Sequence, residues 1–235
     1  MLTGKTIAVI GGTGAEGSGL ALRWARSGLA VVIGSRDVAR AEATAAALNS
    51  VLEAKPGRQA IRALDNEAAA RAGDIVVLSV PHAGQQATAL SIRDALEGKV
   101  LVDVTVPLVP PKVDRVQLPG GRSAVEQLAE KLGPGVTVVS AFQHVSASHL
   151  KDADFVADCD VLVCGDSAAG RDVAVALAAA AGMRGIHAGM LVNSAAVEAM
   201  TSVLIAINKR YKVPGAGIRI TGLPATVVCP MPPSS

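Results

Sequence analysis

Short apolar runs alternate along this chain with longer stretches in which apolar residues recur every three or four positions. The runs Thr6–Ile10, Leu29–Ile33, Gln59–Leu64, Asp74–Val80, Lys99–Val104 and Val136–Ser140 predict strands, and Val38–Leu48, Glu67–Ala72, Gly84–Leu96 and Ser123–Leu132 predict helices between them. Beyond residue 140 the alternation continues with a strand at Asp160–Cys164, a helix at Ala168–Ala181, a short strand at Ile186–Gly189 and a long apolar helical pattern from Met190 to Tyr211. Strands that alternate with helices in this way build a parallel sheet covered on both faces. The fold class is therefore α/β: a Rossmann-type doubly wound parallel sheet over residues 1–140, with a small C-terminal α/β lobe over 141–235. A polar link at Glu53–Arg58 and a frayed tail beyond Thr226 complete the reading.

The first strand runs into Gly12, Gly14 and Gly17, which have the G-x-G-x-x-G spacing of a dinucleotide-binding turn. Gly12 is expected to permit the tight turn, Gly14 the approach of a pyrophosphate, and Gly17 the close packing of helix on strand. The helix that follows offers its N-terminal N–H groups to phosphate. An NAD site places Asp or Glu at the end of the second strand, to hold a ribose hydroxyl. Here that strand ends in Gly34-Ser35-Arg36, with Arg40 one helical turn on. A hydroxyl and guanidinium groups bind a 2′-phosphate that a carboxylate would repel, so NADP is the expected nucleotide. Asp37 reads as the N-cap of the next helix. The bland alternative is a glycine turn with surface arginines and no nucleotide.

Ligands of such sheets bind at the carboxyl ends of the strands. That rule selects Gly11–Gly17, Ser35-Arg36, Val80-Pro81-His82 and the segment after Val104. The segment Thr105–Lys112 contains Pro107, Pro110 and Pro111, and reads as a rigid loop over the site in preference to a linker. Asp103 is expected to hold the N–H groups of that loop. Among the histidines, His82 sits at a strand end as a nicotinamide contact or a solvated loop residue, His144 is the better site candidate, and His149 and His187 read as surface or packing residues. Ser140 and Ser146 lack a nucleophile elbow. Tyr211 is the single tyrosine, and no Tyr-x-x-x-Lys pair occurs. With no evident general acid, the chemistry points to hydride transfer between two cofactors by positioning, with Gln143 and His144 as the catalytic candidates.

Composition narrows the classes. A net charge of +2 and 2% aromatic residues leave neither a polyanion-binding patch nor stacking platforms, so no nucleic-acid partner is expected. Cys159, Cys164 and Cys229 form no CxxC pair, which argues against a disulfide framework or a metal site and suits a reducing cytoplasm. The first strand begins too early to leave room for a signal peptide, and no uninterrupted apolar run suggests a membrane span. The helix from Met190 to Tyr211 is more apolar than a monomer surface tolerates, so a homodimer is expected; the alternative is that it closes the core of the second lobe.

The motifs IAVIGGTG, VIGSR, SAFQHVSA, DVLVCGD, AGMLVNS, INKRYKV and AGIRITGL, which extend over nearly the whole chain, resemble the NADPH-dependent F420 reductases, also called F420H2:NADP oxidoreductases. The resemblance implies an NADP-dependent oxidoreductase that passes a hydride directly between NADP(H) and the deazaflavin coenzyme F420. It places Thr13, Gly14, Ala15 and Glu16 on the pyrophosphate, and Ser35, Arg36 and Arg40 on the 2′-phosphate. Val80, Pro81 and Ala147 would border the nicotinamide, and the deazaflavin would stack from the side of Gln143–Ala147 and the C-terminal helix. Two departures fall in the implied deazaflavin pocket: Gln143 stands where typical members have histidine, and Met190 where they have proline. They leave open an NADPH-dependent reductase of a flavin, imine or small carbonyl compound, beside a non-catalytic NADP-binding redox sensor.

Overall fold

The computed structural model describes residues 2–52, 59–152, 154–156 and 158–224; the expected link at 53–58, the tail beyond Thr226 and Cys229 lie outside the described residues. Strands β1 (Thr6–Ile10), β2 (Ala30–Ser35), β3 (Arg62–Asp65), β4 (Ile75–Leu78), β5 (Val100–Asp103) and β6 (Thr137–Ser140) lie parallel in the order β3-β2-β1-β4-β5-β6. That is the order of a dinucleotide-binding sheet. The chain then turns back: β7 (Asp160–Gly165) pairs antiparallel with β6, and β8 (Arg184–His187) pairs parallel with β7. The sheet thus continues without a break across the 140/141 boundary expected between the two units.

Alternation along β1 shows how both faces are filled. Ile7 and Val9 enter one apolar layer with Leu20, Trp24 and Leu177, whereas Ala8 and Ile10 enter the other with Val76, Leu96 and Leu128. The first layer is supplied by α1 (Ala15–Arg26), α2 (Val38–Leu52) and α8 (Ala168–Ala180), and the second by α3 (Asn66–Ala72), α4 (His82–Ser91), α5 (Arg93–Leu96) and α6 (Ala124–Leu132). The stretch expected as one helix to Leu96 is two, broken at Ile92, which has φ −116°.

Two further helices have no place in the Rossmann repeat. Helix α7 (Ala147–Lys151), which no pattern predicted, follows β6 and lies directly on α1. A Cβ on Gly19 would stand 2.6 Å from Leu150 Cβ, so the two backbones touch only because residue 19 has no side chain. Beside this contact Arg23 is buried, and its guanidinium donates to five carbonyls: Leu150 (3.3 Å), His149 (2.9 Å), Asp152 (2.8 Å), Phe155 (2.8 Å) and Ala181 (3.0 Å). Trp24, next along α1, donates to Leu177 O at 2.8 Å and meets Phe142 edge to face at 5.9 Å.

Helix α9 (Ser194–Tyr211) follows a single 3-10 turn at Leu191–Asn193. Its Glu198 is buried and accepts from the first N–H groups of α6, at Ala124 (2.8 Å) and Val125 (3.1 Å). By length and composition alone Leu191–Tyr211 could cross a membrane, with a mean hydropathy of 1.4, although polar and charged residues interrupt its apolar run. The segment beyond α9 returns to the sheet. Asp160 donates its N–H to Ile218 O (2.7 Å), and its buried carboxylate takes both Arg184 nitrogens (2.7 Å each) and the Ile220 N–H (2.6 Å).

Replacing Arg23 by leucine removes a buried cation and strips donors from carbonyls that cannot all reach water. The Arg23→Leu variant is expected to lose at least about 3 kcal/mol of unfolding free energy in urea titration. A loss below about 1 kcal/mol would show that these carbonyls find other donors.

Candidate functional site

A cleft of about 540 Å³ opens at the carboxyl ends of β1, β4 and β5, within the size range of a small-molecule site. One wall is the glycine turn. Gly11 adopts φ +79° and donates to Gly34 O at 3.0 Å, and a Cβ there would collide with Ser79 O. The tight turn expected of Gly12 is therefore made by Gly11. Gly12 is small for another reason: a Cβ on it would lie 2.7 Å from Ile33 Cβ. A Cβ on Gly17 would lie 3.0 Å from both Gly11 O and Gly12 Cα, so α1 packs closely on the turn at this position. Gly14 caps α1 without a side-chain bond and lines the cleft with Ala15 and Glu16. The first-turn N–H groups of α1 are thus left for an anion, in a cradle that side chains at 11 or 17 would fill.

The β2 corner adjoins this turn, because Gly34 O accepts from both Gly11 and Gly12. Ser35 is buried and its Oγ accepts from the Asp37 N–H at 3.2 Å, while Asp37 Oδ1 accepts from the Arg40 N–H at 3.1 Å. Asp37 is the N-cap that the sequence suggests. Arg36 and Arg40 are exposed and enter no ion pair among the described residues. Neither they nor Thr13 line the main cleft; Arg40 also borders a separate groove between α1 and α2.

Val80, Pro81 and His82 form the next wall, as expected, with Ser79 beneath them. Val104, Thr105, Val106 and Leu108 line the cleft too, so the proline-rich loop does lie over it. That loop is held from below by Asp103, which is fully buried; its Oδ1 accepts from the Thr105 N–H at 2.9 Å and its Oδ2 from Gln85 Nε2. Burial pushes the Asp103 carboxyl up to about 6, against the downward pull of the Thr105 and Gln85 donors. Glu16 is raised well above the usual carboxylate range by burial first and the neighbouring Asp103 second, and its Oε1 is buried without a partner. Burial likewise lifts Glu198 to about 7.

The facing wall is Gln143-His144-Val145-Ser146-Ala147, at the end of β6 and the start of α7. Gln143 and His144 are each 3% exposed. Gln143 Nε2 donates to Asp103 O at 2.8 Å, and His144 Nε2 lies 2.6 Å from Asp160 O. Burial lowers the His144 pKa, against the upward pull of Asp160. Thr201, Leu204, Ile205 and Asn208 of α9, with Ala216 after it, close the far side. The sequence marked this helix only as a whole, since a turn-by-turn apolar pattern does not tell which face meets a ligand.

Other expectations fall elsewhere. Met190 is 53% exposed and does not line the cleft, so its departure from the family pattern does not alter the pocket wall as expected. Its neighbour Leu191 turns inward instead and joins the second apolar layer. His149 stacks on Phe155 at 4.2 Å, and His187 faces Asp172 at 3.3 Å, both as packing or surface residues. Among the described residues no group of His, Cys, Asp or Glu is arranged to hold a metal ion.

Known proteins resemble this chain in sequence and in fold. The family described as NADP oxidoreductase, coenzyme F420-dependent, matches residues 6–107. The F420-dependent NADP reductase of Methanocaldococcus jannaschii is 39% identical over 221 residues, spanning 92% of this chain and 98% of its own. That of Methanothermobacter thermautotrophicus is 44% identical over 226 residues, spanning 93% of this chain and 95% of its own. A crystal structure of a protein from Arthrobacter sp. FB24, described as a candidate F420-dependent NADP-reductase, superimposes with a TM-score of 0.75 at 27% identity, covering 93% of this chain and all of that one.

The raised Asp103 pKa has a defined consequence for stability. The native protein keeps a proton that the unfolded chain gives up near pH 4, so this contribution is complete below about pH 4 and is lost as pH rises through about 6. In Asp103→Asn the Gln85 amide can turn over, so that its unpartnered Oε1 accepts from the new amide while Thr105 keeps its acceptor. The loss of stability between pH 4.5 and 7.5, read by urea unfolding, is expected to shrink by about 2 kcal/mol in this variant. An unchanged slope would contradict the assignment.

Proposed function

This chain belongs to the family of F420-dependent NADP reductases, and from that premise we propose how its cleft divides the work of moving a hydride between NADP(H) and F420. The protein is an oxidoreductase of these two substrates. What supports the division is one juxtaposition: the uncapped N-terminus of α1 and the Gln143–Ala147 wall face the same cleft, and α7 is docked on α1.

Residues 1–140 take the nucleotide. Thr13, Gly14, Ala15 and Glu16 bind the pyrophosphate at the N-terminus of α1, while Ser35, Arg36 and Arg40 bind the 2′-phosphate. Val80, Pro81 and His82 border the nicotinamide on one side and Ala147 on the other. Residues 141–235 take the deazaflavin between the Gln143–Ala147 wall and the inward face of α9. The two rings supply the redox chemistry, C4 of one and C5 of the other exchanging a hydride. The protein's part is to hold them in contact and to exclude water with Val80, Val104, Val106, Val145 and Leu204, which suits catalysis by positioning.

The outward face of α9 carries Met200, Val203, Ile207 and Tyr211, all exposed and spaced by three or four residues. A second copy of this chain covers that stripe in the proposed homodimer, with the cytoplasm as its compartment. Lipid is the poorer occupant, because Glu198 ties the inner face of the same helix to α6. Light scattering should return twice the chain mass; a monomer mass would contradict the dimer.

Purified protein given NADPH should bleach the absorbance of oxidised F420. Failure to do so while NADPH still binds would overturn the F420 assignment. Arg36→Ala is expected to weaken NADPH by about 1.5–3 kcal/mol, or roughly 10- to 150-fold, and to leave NADH nearly unchanged. Equal losses for the two nucleotides would mean that the corner does not hold a phosphate.

A further inference from the structure

Positive charge gathers on the rim of the cleft where α9 ends. Lys209 Nζ meets Asp114 Oδ2, in the segment that continues the proline-rich loop, at 2.7 Å. This bond joins two walls of the cleft, since Leu108 lines it from the loop side and Asn208 from the helix. It also brings Lys112 and Arg115 to the same rim as Arg210 and Lys212. All four are exposed, and none enters an ion pair among the described residues. Five cations thus share the rim with one carboxylate, in a chain whose net charge is only +2, so the remainder of the chain is net negative. No basic tract marks this rim in the sequence, because its two halves are 95 residues apart.

The backbone under these side chains is tied down on both sides. Gln117 Nε2 donates to Lys112 O at 2.9 Å and to Val109 O at 3.3 Å, which folds the loop back on itself. On the helix side Asn208 O accepts from the Val213 N–H at 3.2 Å, and Asn208 Oδ1 from the Ala216 N–H at 2.7 Å. With Oδ1 committed, the amide is fixed and Nδ2 is left as a donor on a residue that lines the cleft. Lys212 caps α9 at φ 55°, in the left-handed region where a helix end favours glycine. Lysine there accepts a steric cost that glycine would avoid, and keeps a cation on the rim.

We propose that this rim binds the anionic tail of the deazaflavin substrate, the phosphodiester and carboxylate groups carried beyond its ribityl chain. The inference rests on the reading of the cleft given above. It adds the feature by which the protein tells F420 from a deazaflavin or flavin that has no such tail. The nucleotide is the poorer occupant, because its phosphates have their own donors at the first turn of α1 and the β2 corner, across the cleft from α9. Each exposed cation contributes little alone, since water and salt screen it. Several carboxylates on one tether engage several cations at once, and their contributions combine. Asn208 Nδ2 serves the phosphodiester at the point where the tail leaves the cleft. The rim also draws a polyanion toward the mouth of a molecule that is otherwise net negative.

Two deazaflavins test this on the wild-type protein: F420 with its glutamyl tail, and the same ring and ribityl chain without phosphate or glutamate. Read by deazaflavin fluorescence at about 20 mM salt, the tailed form should bind at least about 10-fold tighter, and about 0.5 M salt should remove most of that margin. Equal affinities at low salt would overturn the proposal. In the double variant Arg210→Gln/Lys212→Gln, which changes only exposed side chains, the dissociation constant of F420 should rise at least about 5-fold. Those of the tail-free deazaflavin and of NADPH should stay within about 2-fold. A matching rise for NADPH would assign the rim to the nucleotide, and a matching rise for the tail-free deazaflavin would assign it to the ring; either refutes the proposal. A wild-type protein that binds NADPH but neither deazaflavin would refute the functional reading beneath, and the proposal with it.

Discussion

The docking of α7 on α1 is the constraint on which the rest of the structure depends. Helix α1 begins at the glycine turn, and α7 begins at the wall that faces it across the cleft. Two short chain segments, far apart in sequence, must keep a fixed spacing if a hydride is to pass between rings seated on each. Gly19 lets the backbones touch at Leu150, and Arg23 gathers the carbonyls that end α7 and α8. A guanidinium suits this task because its donors form a rigid planar fork, whereas the lysine ammonium is a single flexible point. The contact is buried, so water does not compete for those carbonyls.

The sheet supplies the second half of the frame. Six parallel strands end their carboxyl edges along one line, which is where the turn, Val80–His82 and Thr105 are placed. The antiparallel return into β7 then brings Asp160 beneath His144 and, through Arg184 and Ile220, anchors the segment that follows α9. Buried carboxylates recur at the joints: Asp103 beneath the proline-rich loop, Glu198 between α9 and α6, and Asp160 between β7 and the last segment. Each satisfies backbone N–H groups that no regular ladder reaches, which is the condition for burying irregular chain. Asp103 and Glu198 meet it at the expense of raised pKa values, while Arg184 and the Ile220 N–H keep Asp160 low.

Much of this was legible in the residues. The apolar runs gave β1, β2, β4, β5, β6 and β7 to within two residues, because a strand buried on both faces reads as a continuous run. The glycine spacing marked the turn that lines the cleft, and the end of β2 proved to adjoin that turn through Gly34 O. What escaped was decided by tertiary packing. Gly11 and Gly12 are the same residue type, and only φ shows which one turns the chain. Arg23 and Glu198 are charged residues in helices with apolar faces, and a sequence cannot tell that such charges point inward to bare backbone groups. Helix α7 has five residues, too few for a period. The direction of β7 is equally unmarked, since an apolar run carries no sign of parallel or antiparallel pairing. Met190 shows the converse: a departure from a family motif suggested a change in the pocket, yet the side chain lies outside it.

The central claim is that this frame holds two rings in contact so that hydride passes from one to the other without touching protein or water. NADPH carrying deuterium at the transferred C4 position, with oxidised F420 in ordinary water, tests it most directly. The deuterium should appear at C5 of the reduced deazaflavin, one atom per turnover, with none lost to solvent. Deuterium found in the water, or reduced deazaflavin carrying only protium, would contradict the account.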